Sequence, residues 1–183
     1  MSRQYRVLAL ILFLLFPAAL SRAENAAPSK SPFSVTPSRE WIKLDLPLQG
    51  MLVSYGKKGT LATFHISERD LDGAKSLGDL RWEDLFNPQF SSIAIRKQGE
   101  AILSGEKSKF CIYTLKPGEF RDTMEGKLPG KYINYVLIHG GKLISITFKD
   151  TEDGFALNYP SFLTAIRTLR FDTPAANPRR KSL

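Results

Sequence analysis

Along residues 60–66 and 142–149 apolar and polar side chains alternate with a period of two. Ala62, Phe64 and Ile66 share one face while Leu61, Thr63 and His65 share the other; Ile144, Ile146 and Phe148 oppose Leu143, Ser145 and Thr147. Alternation of this kind marks β-strands that bury one face. Residues 51–55 lead into the first run through Gly56-Lys57-Lys58-Gly59, and residues 132–139 lead into the second through Gly140-Gly141. Both read as hairpins, the second with the pair of glycines that a type I′ turn prefers. Residues 93–97, 101–104 and 109–115 have strand character, and Trp41, Leu44 and Leu46 punctuate an extended first segment. Two stretches change period. In residues 77–86, Leu77, Leu80, Leu85 and Phe86 fall partly on one face and Asp79, Glu83 and Asp84 on the other, which predicts a helix stopped by Asn87-Pro88. In residues 153–169, Phe155, Tyr159, Phe162, Leu163, Ile166 and Leu169 recur at helical spacing and predict a second helix, with Ser161 as a cap after Pro160. Strands, a helix, more strands and a closing helix predict an α+β fold in which helices flank an antiparallel β-sheet.

The N-terminus obeys a different logic. Arg3 and Arg6 precede an apolar run from Val7 to Phe16, and Ser21-Arg22-Ala23 comes shortly after it. A basic start, an apolar core and a small-x-small site are the order of a secretory signal peptide, so residues 1–23 read as a signal cleaved between Ala23 and Glu24. The run is shorter than the roughly 20 residues that span a bilayer, and the helix-breaking Pro17 stands directly at its end. The two arginines are not adjacent, which favours the general export route over the twin-arginine one. Residues 24–31 read as a flexible leader, residues 32–172 as a single domain, and residues 173–183 as a basic disordered tail. The predicted location is outside the cytoplasm, with the periplasm favoured over the extracellular medium.

This division changes the meaning of the charge. The chain has 183 residues with 26 Lys and Arg against 18 Asp and Glu, a formal +8. Arg3, Arg6 and Arg22 belong to the signal and Arg179, Arg180 and Lys181 to the tail; without these six, +2 remains. A nearly balanced domain with charge at its ends gives no reason to expect nucleic acid, whereas the tail arginines and lysine are candidates for contact with an anionic membrane surface. Hydrophobic residues make up 43% and aromatics 11%, enough to build a core.

Candidate chemistry is sparse. One cysteine excludes an internal disulfide, and two histidines, His65 and His139, lack the spacing of a zinc site. Cys111 sits in the apolar string Phe110-Cys111-Ile112-Tyr113, where desolvation makes a thiol an inert core residue rather than a nucleophile. Asp70, Asp72, Asp79, Glu83 and Asp84 do not have calcium-loop spacing and read as a solvated face. No Gly-x-Ser-x-Gly elbow or phosphate-cradling loop is present. No catalytic residue, metal or cofactor is therefore expected. Trp41, Trp82, Phe86 and Phe90, with Tyr132 and Tyr135, are candidates to line an apolar groove between helix and sheet; the plainer alternative is that they fill the core.

Phe33-Ser34-Val35-Thr36-Pro37 with Trp41, the strand Gly99-Glu100-Ala101-Ile102-Leu103-Ser104-Gly105, the hairpin of residues 132–149 and the closing Phe155-x3-Tyr159-Pro160-x-Phe162-Leu163-x2-Ile166-x2-Leu169-x-Phe171 together resemble the PsbP-like superfamily. That group includes the extrinsic PsbP subunit of photosystem II, the Ran-binding Mog proteins and bacterial DcrB-like envelope proteins. The resemblance implies an α/β/α sandwich used for docking to other macromolecules, and it carries no catalytic residue across. The expectation is an exported, non-enzymatic binding or assembly domain that docks to a protein or envelope component. A carrier of a small hydrophobic ligand is the alternative.

Overall fold

The computed structural model describes residues 33–45, 50–86, 93–115 and 130–172. Seven strands form one antiparallel sheet: β2 (Trp41–Leu44), β3 (Met51–Lys57), β4 (Thr63–Arg69), β5 (Ile93–Leu103), β6 (Glu106–Leu115), β7 (Gly130–His139) and β8 (Lys142–Thr151). Their order across the sheet is β2-β3-β4-β8-β7-β6-β5. Two meanders explain it. Each runs strand to neighbouring strand, and β4 pairs with β8 from Thr63 opposite Lys149 to Arg69 opposite Leu143, which joins the two meanders into one sheet. A separate ribbon pairs β1 (Phe33–Ser34) with β9 (Arg170–Phe171).

The turns obey backbone chemistry. Gly140 and Gly141 have φ of 59° and 78°, the positive values that a two-residue hairpin between β7 and β8 requires. Ser104 and Gly105, at 53° and 86°, do the same between β5 and β6. The two strand segments expected at residues 93–97 and 101–104 merge into one strand, β5, with an irregularity between Ile95 and Lys97. Strand β4 begins at Thr63 rather than at residue 60, because Thr60 closes the turn: its backbone N–H donates to the Lys57 carbonyl and its hydroxyl accepts from the Ala62 N–H.

Helix α2 (Glu152–Ile166) packs on one face. Phe155, Phe162, Ala165 and Ile166 are buried against Phe64 and Ile66 of β4, Ile133, Tyr135 and Leu137 of β7, and Ile144, Ile146 and Phe148 of β8. The alternation of residues 142–149 thus points its large aliphatic and aromatic side chains at α2. Burying a phenylalanine such as Phe162 contributes about 2–3 kcal/mol. Thr151 caps the helix by accepting from the Gly154 N–H at 3.0 Å. Ser161 is not a cap. Pro160 lies inside the helix, and the Ser161 hydroxyl instead accepts from Trp41 Nε1 at 2.9 Å and donates to Glu40.

A second buried cluster joins Leu80 and Trp82 to Cys111, Tyr113, Leu115, Tyr132, Val136 and Leu143. Tyr132 and Val136 alternate along β7 with the residues that face α2, so this cluster lies on the opposite face of the sheet. The predicted helix of residues 77–86 is broken into a 3₁₀ turn, Leu77–Asp79, and a single turn α1, Trp82–Leu85. Between them Leu80 and Arg81 are extended, with ψ of 123° and 143°. Gly78 weakens helix propagation, and the Asp79 carboxylate is held at the start of the segment, accepting from the Lys75 and Ser76 N–H groups at 2.9 Å each. The described residues therefore form an α+β structure, mostly antiparallel sheet with the 15-residue α2, the single turn α1 and a 3₁₀ turn. No helix of the described residues is long and apolar enough to cross a membrane.

Candidate functional site

The face away from α2 carries the polar side chains that a buried sheet ordinarily avoids. Strand register sets them in two adjacent rows. One runs Ile42, Gly56, Thr63, Lys149, Tyr132, Tyr113, and the other Leu44, Ser54, His65, Thr147, Asn134, Cys111. At the β6 end the rows are aromatic: Tyr113 stacks on Tyr132 at 5.0 Å, Phe86 meets Tyr113 edge-on at 4.8 Å, and Trp82 stacks on Phe86 at 6.0 Å. In the middle they are polar. Ser54, Thr147 and Asn134 are buried, and Asn134 Oδ1 accepts from the Ser145 hydroxyl at 2.8 Å. At the β2 end they become aliphatic and open.

Three titratable groups of this face, His65, Cys111 and Tyr113, are held neutral at pH 7. Burial, reinforced by the Lys149 ammonium, pushes the His65 imidazole down to about 4. Burial, with the Glu83 carboxylate adding to it, pushes the Cys111 thiol up to about 11. Tyr113 is likewise raised by burial, then by Tyr132 and Cys111. At pH 7 the Cys111 side chain is therefore a protonated thiol and the His65 side chain a neutral imidazole. The other histidine stands apart in sequence and role: His139 stacks on Phe171 at 4.6 Å and lies 3.2 Å from Glu106 Oε1, tying the end of β7 to β6 and β9. Among the described residues no group of three His, Cys, Asp or Glu side chains is placed to hold a metal ion.

Two depressions flank these rows. One, of about 350 Å³, brings together Asp70, Asp72, Asp79 and Asp84 beside Leu80 and Leu143. Three of its carboxylates are engaged: Asp70 with Lys142 at 2.7 Å, Asp79 with the two backbone N–H groups, and Asp84 with Arg81 at 3.9 Å. The Lys142 hydrogen bond holds the Asp70 carboxyl below its usual range, and the backbone N–H of Lys75, then that of Ser76, does so for Asp79. The other depression, of about 320 Å³, lies between Ile42, Leu44, Gly56, Leu61 and Thr63 with Lys58 at its rim. Gly56 keeps it open, since a Cβ there would come within 3.3 Å of Leu44 Cδ1. Ile42 is 49% exposed and Leu61 42%. The Thr63 hydroxyl beside them is buried without a hydrogen-bond partner.

Of the aromatic residues expected to share one groove, those described fall into two groups: Trp82, Phe86 and Tyr132 come together in one cluster, and Trp41 and Tyr135 lie in the other. Trp41 is 6% exposed, sits on the α2 face and packs edge-on against Phe64 at 4.8 Å. Trp82 and Phe86 belong to the cluster on the opposite face. The seven-stranded sheet separates them, because Trp41 leads β2 with the parity that faces α2. Phe90, the cleavage pair Ala23 and Glu24, and the tail residues Arg179, Arg180 and Lys181 lie outside the described residues. The aliphatic corner is absent from the sequence expectations. Its signal is nonetheless present in the chain: Ile42 and Leu44 alternate with Trp41, and Leu61 shares the face of Thr63 and His65.

No family model matches the chain, and neither does any curated protein sequence. Solved structures do. Cyanobacterial PsbP (CyanoP) from Synechocystis matches with a TM-score of 0.54 at 14% identity, over 80% of this chain and 96% of that one. A Pseudomonas aeruginosa protein of unknown function matches with a TM-score of 0.50 at 15% identity, over 79% of this chain and 99% of that one. The fold is PsbP-like. At such identities the likeness extends to the path of the backbone and not to any side chain, so the PsbP-like domain brings no site residue with it.

Proposed function

We propose that this PsbP-like domain is exported and non-enzymatic, and that it docks to a protein or other component of the bacterial envelope. The reading rests most on the sheet face away from α2. It presents open aliphatic side chains at one end and, at the other, a covered aromatic cluster that encloses a protonated thiol, with a neutral imidazole and the Lys149 side chain between them. Such a face is suited to contact rather than to bond-making. The N-terminal Arg3 and Arg6, the apolar run and the Ser21-Arg22-Ala23 site support export, with the periplasm as destination. The same reading takes the two clusters as the two fillings of an α/β/α sandwich. Crosslinking in the cells that make the protein, followed by fractionation, tests it. Recovery from the envelope fraction joined to a discrete partner is the expected result. A cytosolic chain with no crosslinked partner overturns it.

A further inference from the structure

We propose that the corner made by β2 and the β3–β4 turn is the surface by which this domain docks, and that its partner is an anionic lipid bilayer. This rests on the docking role proposed above and names the component. Five large hydrophobic side chains are exposed among the described residues, and two of them, Ile42 and Leu61, border the same depression. The others are dispersed: Ile95 and Ile102 on β5 at the opposite edge of the sheet, and Leu157 on α2. Single exposed aliphatics are ordinary, but a pair flanking an aliphatic depression forms a patch.

The charges around the patch fit one kind of partner. Lys58 stands exposed at the tip of the turn, Lys43 is exposed on β2, and Lys57 lines the depression. Two carboxylates stand nearby: Glu40, which pairs with Lys57 at 3.3 Å and accepts from the Ser161 hydroxyl, and Asp45, exposed beside Leu44. No carboxylate lines the depression itself. Exposed aliphatic side chains with the exposed Lys58 at their rim suit the boundary between headgroups and acyl chains, where the methyl groups leave water and the ammonium group meets phosphate. The turn also has the right shape. Gly59, at φ 70°, lets the chain reverse in the turn that brings Leu61 and Ile42 to the same depression, and a Cβ at Gly56 would press on Leu44 at 3.3 Å.

A position-specific probe tests this in the full chain, whose apolar run at residues 7–16 makes simple vesicle pelleting uninformative. Cys111 is buried and its thiol protonated at neutral pH, so a polarity-sensitive fluorophore is attached to a cysteine introduced by Leu61→Cys, or by Leu157→Cys as a control on α2. Vesicles are phosphatidylcholine alone or with phosphatidylglycerol added. The probe at 61 should move to shorter wavelength and brighten on phosphatidylglycerol vesicles, while the probe at 157 stays in water. Lys58→Gln should weaken that response by roughly fivefold, with circular dichroism confirming an intact fold. A probe at 61 that remains aqueous on phosphatidylglycerol vesicles overturns the proposal, as does a response indifferent to Lys58→Gln. A response to monomeric dodecanoate with none to vesicles also overturns it, in favour of a ligand pocket. A silent probe together with an in-cell crosslink to an envelope protein removes this surface while leaving the docking role intact.

Discussion

Replacing Gly154 with alanine places a methyl group where the fold has no room for one. Gly154 lies in the first turn of α2, over the carboxylate of Asp150 at the end of β8. An ideal Cβ there would stand 2.7 Å from both Asp150 Oδ1 and Oδ2. That carboxylate cannot swing aside freely, because it is buried and holds two donors: the Thr151 N–H at 2.7 Å and the Asn158 side-chain amide at 2.7 Å. Helix propensity alone favours alanine by about 1 kcal/mol. Against this, each buried donor left without its acceptor costs about 1–3 kcal/mol. The clash wins, and Gly154→Ala should destabilise the domain by about 1–5 kcal/mol, with two hydrogen bonds set against one propensity term. Urea unfolding monitored by circular dichroism reads the effect directly. Asp150→Ala removes the obstacle, so adding Gly154→Ala to it should cost little, giving a strongly non-additive pair. A Gly154→Ala variant as stable as the parent, or more so, would refute the reasoning and leave propensity as the governing effect.

Individual side chains set three further expectations. Because burial holds His65 at about 4 in the folded domain against an ordinary 6.5, the unfolded chain takes up the extra proton between those values; stability is complete above pH 6.5 and falls by about 2–3 kcal/mol as pH drops to about 4. Urea titrations across that range should show the slope in the parent and a flatter profile in His65→Asn; equal slopes contradict it. Trp41→Phe keeps the ring against Phe64 but loses the Nε1–H bond to Ser161, for about 1 kcal/mol, whereas Trp41→Ala should cost about 3–5 kcal/mol by thermal unfolding, and equal costs would rule out ring packing as the larger contribution. Cys111 should react with an aromatic disulfide reagent at pH 8 at least about 100-fold more slowly in the native protein than in denaturant, since its thiol is both covered and held protonated; comparable rates would contradict its burial.

Much of this architecture is legible in the sequence where one face of an element is buried. The alternation of Ile144, Ile146 and Phe148 and the helical spacing of Phe155, Phe162 and Ile166 both report contact with the same core, and Gly140-Gly141 demands its turn whatever surrounds it. The break in residues 77–86 is not legible, because it depends on competition between a weak helix and local hydrogen bonds to Asp79, which a count of apolar positions does not weigh. Trp41 and Trp82 look alike as aromatics with candidate roles, yet they fall on opposite sides of the sheet, a matter of strand parity and of which strands are neighbours. The aliphatic corner is hidden for a related reason. Ile42 and Leu61 are about twenty residues apart, and only the pairing of β2, β3 and β4 brings them to one depression.

The central claim, that this is an exported domain whose work is docking, is tested most directly by crosslinking in intact cells with a photoreactive residue at position 61, then fractionation and mass spectrometry. The account predicts a mature chain beginning at Glu24, found outside the cytoplasm and crosslinked through that position to a component of the envelope. A chain still carrying residues 1–23, recovered from the cytosol and crosslinked to nothing, would contradict it.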